Sequence, residues 1–550
     1  MRLIDRFSKA YGKSLFIVSS EGSSLITRKS VHASVFFVAL SLFSVSLPLS
    51  RYLLTVSEIL LIANWLAEAA IKAKFTRLRS DKPALAFISI YLLSVTGLLW
   101  SADLGYAFRN DLLHKIPTLF LPLIFATTPV PDKGKIRIVL LLFISSVTVV
   151  SFIGFFGRIF SSGPFFREAS PYIPGLYFGM MLIVAAFQLP LLVMQITANR
   201  WYFFASLALS AWLIFFLFYL RALSGIASFT AVMIFLVAVF VRQAKSIFIR
   251  ISVPALFLLL AGLAAWPLTA IYKQVHAETK TDFSSLPAFT ALGTPYLHDT
   301  VTVIRENGNP VYIFIADEEL RDAWNERSDL DFDGRDLMGQ ELKYTLYRYM
   351  SSLGIRKDRE GFSGLTEKDI REIEMGTTNY LNVRRPGIYI RAYEELMSLH
   401  IYNASSRTET SWGSLTKRID LWRASLEAFK RHPVRGWGTG SILKAMDYGM
   451  GKTGSTLRGL NMKPHSQYLY IMLTLGMAGL AAIAFLYGYF VVRKRAHQSF
   501  MFILFLIVFL VNFAGNNSLE SQPGQDLFVF LSLFYGYFYP RLKKEPGFIY

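Results

Sequence analysis

Twelve stretches of the chain combine bilayer length with few charges. They lie near residues 31–49, 52–71, 83–100, 116–131, 138–157, 173–195, 202–220, 222–241, 251–271, 468–492, 499–515 and 526–540. A helix crossing the hydrocarbon core needs about 20 mostly apolar residues, so this pattern predicts about twelve transmembrane helices. The run 202–241 would be about 60 Å long as one helix, roughly twice the core thickness. It is interrupted at Arg221 and at Ser224-Gly225, which predicts two spans and a tight turn with Arg221 at the water interface. Between the ninth and tenth runs lies a long polar stretch, 272–467. Stretches of this length usually have a fold or function of their own.

The charges give these spans a direction. With the N-terminus inside, the short inner segments hold 24 Lys/Arg, and the short outer connections hold six: Arg51, Arg109, Lys115, Arg158, Arg167 and Arg221. This agrees with the positive-inside rule and places both termini and residue 272–467 on opposite sides, the long stretch being outside. The basic first 30 residues carry no small-residue cleavage site after an apolar stretch, so they read as a cytoplasmic tail.

Composition supports the membrane reading. Of 550 residues, 53% are hydrophobic and 17% charged, with a mean hydropathy of +0.40. The formal net charge is +19, most of it in the spans, short loops and tails, and it implies no nucleic-acid partner. The absence of cysteine excludes disulfides, thiolate metal sites, iron–sulfur clusters and cysteine nucleophiles. The organisation expected is a basic tail 1–30, nine spans within 31–271, an inserted segment 272–410, a basic segment 411–467, three spans within 468–540 and a tail 541–550. Residues 272–410 hold 17 basic and 23 acidic residues, whereas 411–467 hold 10 basic and three acidic. Helical spacing at 343–350 and 368–374 makes the acidic part α-rich.

The basic part carries the most chemistry. Leu415, Ile419, Trp422, Leu426 and Phe429 recur at helical spacing and predict an amphipathic helix that ends before Pro433. Arg418 lies in line with Trp422, either at a packed boundary or as a plain surface charge. Next come Arg435-Gly436-Trp437-Gly438-Thr439-Gly440. These glycines suit a tight turn against packed backbone, with N–H groups such as that of Gly438 open to an anion as the other possibility. His465 directly precedes the tenth run. The positive end of a helix dipole would keep its imidazole neutral and able to take a proton; the plainer role is a cap at the interface. Arg221, in an apolar stretch, is a functional candidate by its cost or a side chain reaching headgroups. Together Arg221, Arg418 and His465 suit an anionic lipid-linked substrate, since a guanidinium grips phosphate in two-point contacts.

Three further features are weaker. Asp329-Leu330-Asp331-Phe332-Asp333-Gly334 opens like a calcium loop, but position twelve is Gln340, where a bidentate Glu is required; a polar turn fits better. Asn516-Asn517-Ser518-Leu519-Glu520 forms a loop in which Glu520 either pairs with a basic site residue, orients a hydroxyl or is solvated. Glu58 and Glu68 lie within or near the second run.

With these residues in view, the sequence resembles the O-antigen ligase and polymerase superfamily of bacterial envelope glycosyltransferases. The resemblance rests on Arg418-x-x-x-Trp422 followed by His432-Pro433-x-x-Gly436-x-Gly438-x-Gly440, on His465-Ser466-x-Tyr468-Leu469 followed by Leu475-Gly476-x-x-Gly479, and on Arg221 ahead of the long stretch. At the last place the family more often shows Ser-Arg-Gly, and this chain has Leu220-Arg221-Ala222. The segment 272–410 is longer than in typical ligases and looks like an insertion in some Bacteroidota-type members. The resemblance implies an all-α polytopic fold of the GT-C-like ligase kind in the bacterial inner membrane. It implies a periplasmic site that takes a glycan from undecaprenyl diphosphate and passes it to lipid A–core or another glycan or protein acceptor. The reaction implied is a metal-independent, cofactor-free inverting displacement. By position, His465 would be the base, and Arg418 and Arg221 would hold the diphosphate. Arg435, Trp422, Gly438, Tyr468 and Glu520 would bind diphosphate or sugar. Alternatives are a polymerase or protein O-oligosaccharyltransferase of the same superfamily, or, in another class, a lipid-saccharide transporter.

Overall fold

The computed structural model describes residues 28–160, 170, 172–276, 283–300, 305–381, 387–404 and 414–542; the expected tails and Arg167 lie outside these, apart from 28–30 and 541–542. Each of the twelve apolar runs falls on a helix. By length and composition, eight helices among the described residues are sufficient to cross a membrane, or nine if a bent pair counts as one span. The chain is an all-α polytopic membrane protein. That bent pair corrects the second run: its helix is Arg51–Ala67, and after a 111° bend the chain continues as Ile71–Ser80. Ala69 and Ala70, both at positive φ, make the corner, and the second member carries Lys72, Lys74, Arg77 and Arg79, too polar to extend a span.

The chain divides into two compact units, 1–240 with 418–550, and 241–417. In the first, Gly175–Ile196 is the most enclosed span, as expected for a helix apolar on every face. Its one buried amide, Gln188, accepts from Tyr535 Oη at 2.7 Å. Around it, Arg28–Leu49 packs on Lys133–Phe160, and Gln467–Arg493 on Lys82–Thr96. The long run 202–241 splits as expected into Arg200–Tyr219 and Leu223–Gln243. Arg221 sits in the turn with φ 56°, and close packing of Gly225 on Leu217 holds the two helices together.

In the second unit the helix Ile247–His276 packs against Gly387–Ala404 through Ile271, Val275 and Tyr393. A separate core of Val311, Leu320, Trp324, Phe332, Leu346, Tyr349, Phe362 and Ile370 joins short helices. Among them Leu342–Leu353 and Glu367–Glu374 cover the two predicted stretches, the latter begun by a Thr366–Asp369 capping box. The calcium-like loop is a turn: Arg321 takes both oxygens of Asp333, at 2.7 and 3.1 Å.

Candidate functional site

The site is built where the helix Gln467–Arg493 begins. Ser466 caps it, accepting from the Leu469 N–H at 3.5 Å and donating to the Phe513 carbonyl at 3.2 Å. His465, half-buried, sits just before the cap with φ 51°, a left-handed conformation that costs a non-glycine residue about 1 kcal/mol or more. Its carbonyl accepts from Trp422 Nε1 at 3.4 Å. The backbone on either side of the imidazole is therefore pinned by two elements.

Trp422 lies on the helix Ser414–Arg431, one turn beyond Arg418. Arg418 Nη2 donates to Asn516 Oδ1 at 3.2 Å, and Asn516 caps the C-terminus of Phe500–Gly515. Arg221 reaches the same end of the bundle by a different route. Helix Leu223–Gln243 runs antiparallel to Phe500–Gly515, with Phe235 stacked on Phe500 at 6.2 Å. Nearer the turn, Ser228 Oγ donates to Val508 O at 3.2 Å and accepts from Asn512 Nδ2 at 2.8 Å. Continuing this register brings Arg221 to the level of Asn516. Arg221, Arg418 and His465 thus share one end of the first unit.

A buried polar network lies behind them. Residues Ala107–Leu112 form a turn of π-helix, a distortion common at functional sites, and it carries Asp111, which is fully buried. Asp111 accepts from Gly440 N at 2.7 Å and from Tyr470 Oη at 2.6 Å. Lys115 pairs with Glu520 Oε1 at 3.2 Å and lies 5.4 Å from the centre of the Tyr470 ring. Gln467 Nε2 donates to the same Glu520 oxygen at 2.9 Å. Of the readings open for Glu520, ion pairing is the one realised. Nearby, Tyr106 is pushed up to about 12, chiefly by burial and then by Asp111 and Glu520. His432 is shifted down by burial, with Arg431 and Arg435 adding to it.

Asp111, Lys115, Gln467 and Tyr470 were not legible as a group. Lys115 counts in the sequence only as a loop charge, and Tyr470 is 359 positions from Asp111.

Several sequence expectations change. Gly436, Gly438 and Gly440 have φ of 70°, 95° and 90°. The Gly438 N–H donates to Thr474 O at 2.9 Å, so it is not open to an anion. A Cβ there would lie 2.8 Å from the Trp100 carbonyl. The loop is a packing turn, clamping the 97–103 connection to the kink at Gly476. Arg435 is exposed on that turn. Tyr468 donates to Leu510 O at 3.0 Å and meets Phe513 edge-on, a contact between helices. The face of Ser414–Arg431 is also rotated: Leu421, Ala424 and Ala428 are buried, and Leu426 is exposed. Small side chains decide this, because Gly449 packs directly on the Ala424 backbone, closer than the predicted large-residue stripe allows. Asp420 comes inside with this face, where Ser455 hydrogen-bonds to it.

Helix Ile442–Thr453 also borders a cleft of about 600 Å³, lined by Lys444, Asp447, Lys452 and Arg458 among others and basic on balance. Among the described residues, no group of three or more His, Asp or Glu side chains is placed to hold a metal ion.

Residues 376–484 match the family model described as O-antigen ligase. That stretch contains Arg418, Trp422, the glycine turn and His465; Arg221 and Glu520 fall outside it. Among curated proteins, none matches the chain. Residues 376–484 are thus similar to the O-antigen ligase family, and this block, set among apolar helices, supports the O-antigen ligase superfamily.

Proposed function

We propose that the protein is a glycosyltransferase that moves a glycan from undecaprenyl diphosphate to the lipid A–core oligosaccharide at the periplasmic face of the bacterial inner membrane. The observation that carries this reading is that the helix bearing Arg418 is bonded through Trp422 to the His465 carbonyl, all three lying inside the matched block, while the Arg221 turn lies at the same end of the unit. In this reading both termini are cytoplasmic, twelve helices span the membrane, and the long stretch between the ninth and tenth is periplasmic, in line with the charge asymmetry.

The chemistry follows from the residue types. His465 takes the proton of the acceptor hydroxyl as its oxygen attacks the anomeric carbon from the face opposite the diphosphate, inverting that centre. Arg418 and Arg221 offset the charge that accumulates on the departing diphosphate, where fixed guanidinium groups act most strongly in a water-poor site. The sugar–diphosphate bond already stores the energy needed, so the scheme uses no nucleotide, metal or other cofactor. A polymerase or protein O-oligosaccharyltransferase would use the same three residues on another acceptor.

The test is the glycan phenotype of a deletion strain complemented with wild type or His465→Ala. A ligase predicts bare core with lipid-linked polymer accumulating, rescued by wild type alone. Core bearing a single repeat points to a polymerase, and unchanged lipopolysaccharide with altered protein glycosylation to a protein-directed enzyme. Movement of lipid-linked glycan by purified protein without product identifies a transporter.

A further inference from the structure

Buried polar atoms normally find partners, and those that do not call for an explanation. In the loop after Phe500–Gly515 and the first turn of the helix that follows, six such atoms without a hydrogen-bond partner fall within ten residues: Asn516 Nδ2, Asn517 Oδ1, Ser518 Oγ, Glu520 Oε2, Ser521 Oγ and Gln525 Oε1. Four of these residues are more than nine-tenths buried: Asn516 at 5% exposure, Ser518 at 0%, Glu520 at 7% and Gln525 at 4%. An unpaired buried polar group costs about 1–3 kcal/mol, so six in so short a segment are strongly destabilising for one with no role. The loop lies just beneath the surface, because half-exposed Gly515, Asn517 and Leu519 alternate with buried Asn516, Ser518 and Glu520, so a small displacement of the exposed residues would open the buried atoms to a ligand.

The chemistry of these atoms narrows the ligand. Asn517, Glu520 and Gln525 offer acceptors, Ser518 donates or accepts, and Asn516 offers a donor, its Oδ1 already being engaged by Arg418. Phosphate oxygens only accept, so they leave the acceptors on Asn517, Glu520 and Gln525 without partners. A cation is disfavoured because Lys115 already balances Glu520. Sugar hydroxyls both donate and accept, and match the mixed set. Asn516 also ties the loop to Arg418, since its Oδ1 accepts from that guanidinium while its Nδ2 is left without a partner.

We infer that this loop is a saccharide subsite that holds the hydroxyls of the sugar bonded directly to the carrier diphosphate. The inference rests on the proposed reading, in which Arg418 holds that diphosphate. The ring would lie between Asn516 and Asn517, with Ser518 and the second oxygen of Glu520 beneath it. Recognition of the first sugar would then come from this loop rather than from the basic segment.

The test uses full-length protein in nanodiscs with lipid-linked glycan as donor. Asn517→Ala and Ser518→Ala are each compared with wild type, and thermal midpoints identify a variant that fails to fold. The expected result is a rise of about ten-fold in donor KM, with acceptor KM unchanged. Undecaprenyl diphosphate without sugar should inhibit variants and wild type equally. Unchanged donor KM in two folded variants overturns the inference, as does a parallel loss of inhibition by the sugar-free carrier, which assigns the loop to the phosphates. If Asn517→Ala or Ser518→Ala fails to fold, Asn517→Ser or Ser518→Thr respectively takes its place. Absence of transfer by the wild type defeats the functional reading itself, whereas transfer by wild type with unaffected variants defeats only the subsite.

Discussion

The indole N–H of Trp422 donates to the main-chain carbonyl of His465 across 3.4 Å, joining residues 43 positions apart. The helix that presents Arg418 thereby also positions the imidazole, so both groups move together. Trp422→Phe keeps the ring and removes the donor. Its turnover should fall about two- to ten-fold with abundance unchanged, the range for loss of a neutral hydrogen bond. Wild-type turnover in the purified variant would show that His465 is held in place without the Trp422 hydrogen bond.

Arg418→Lys keeps the charge and loses the planar fork that reaches Asn516. Transfer should drop by ten-fold or more, because an ammonium cannot make two parallel contacts to a diphosphate. Retention of full activity in a reconstituted assay would leave Arg418 as a surface charge.

Gly440→Ala tests the packing turn. Gly440 has φ 90°, and a Cβ there would overlap the Asp103 carbonyl and lie 2.6 Å from Ala107 Cβ. A loss of at least about 2 kcal/mol is expected, read as a lower thermal midpoint in detergent. Gly488→Ala is the control, since a Cβ there meets nothing within 4 Å; within a helix this change should be neutral or slightly stabilising.

Lys357, buried in the second unit, is lowered from 10.5 to about 8 by burial, with Asp358 opposing the shift. The folded state therefore releases this proton more readily than the unfolded state does. Local stability should be least below pH 8 and should rise between about pH 8 and 10.5, where the unfolded chain binds more protons. Hydrogen exchange of residues 305–381 in the full-length protein measures this. Lys357→Met should raise protection at pH 7 by up to a few kcal/mol and flatten the rise, and a persistent rise would assign it to another group.

A chelator provides a check on the proposed displacement. EDTA should leave transfer unchanged, and inhibition reversed by adding a divalent ion would bring a metal into the reaction.

Much of this protein is legible along the chain because the bilayer imposes a one-dimensional rule. Each apolar run must satisfy its backbone internally, so hydropathy alone located the apolar helices and the break at Arg221, although it carried the second run past the bend after Ala67. Local spacing likewise singled out Arg418, Trp422 and His465, which lie on one helix and at the start of another. Direction of packing was another matter. The helix Ser414–Arg431 shows a stripe of large residues, yet it buries Leu421, Ala424 and Ala428, since the approach of Gly449 rewards small side chains over large ones.

The groups that only tertiary structure could assemble are Asp111, Lys115, Tyr470 and Glu520. They come from four elements, and no periodicity relates Asp111 to Tyr470 across 359 residues. Their meeting depends on a π-helical turn, a glycine loop at positive φ and a capped helix start, each of which redirects a side chain by a local backbone choice. Sequence determined which segments are helices and which few charges are costly enough to matter. Folding decided which of those charges face one another, because burial makes an unpaired charge too expensive to keep and so selects partners from anywhere in the chain.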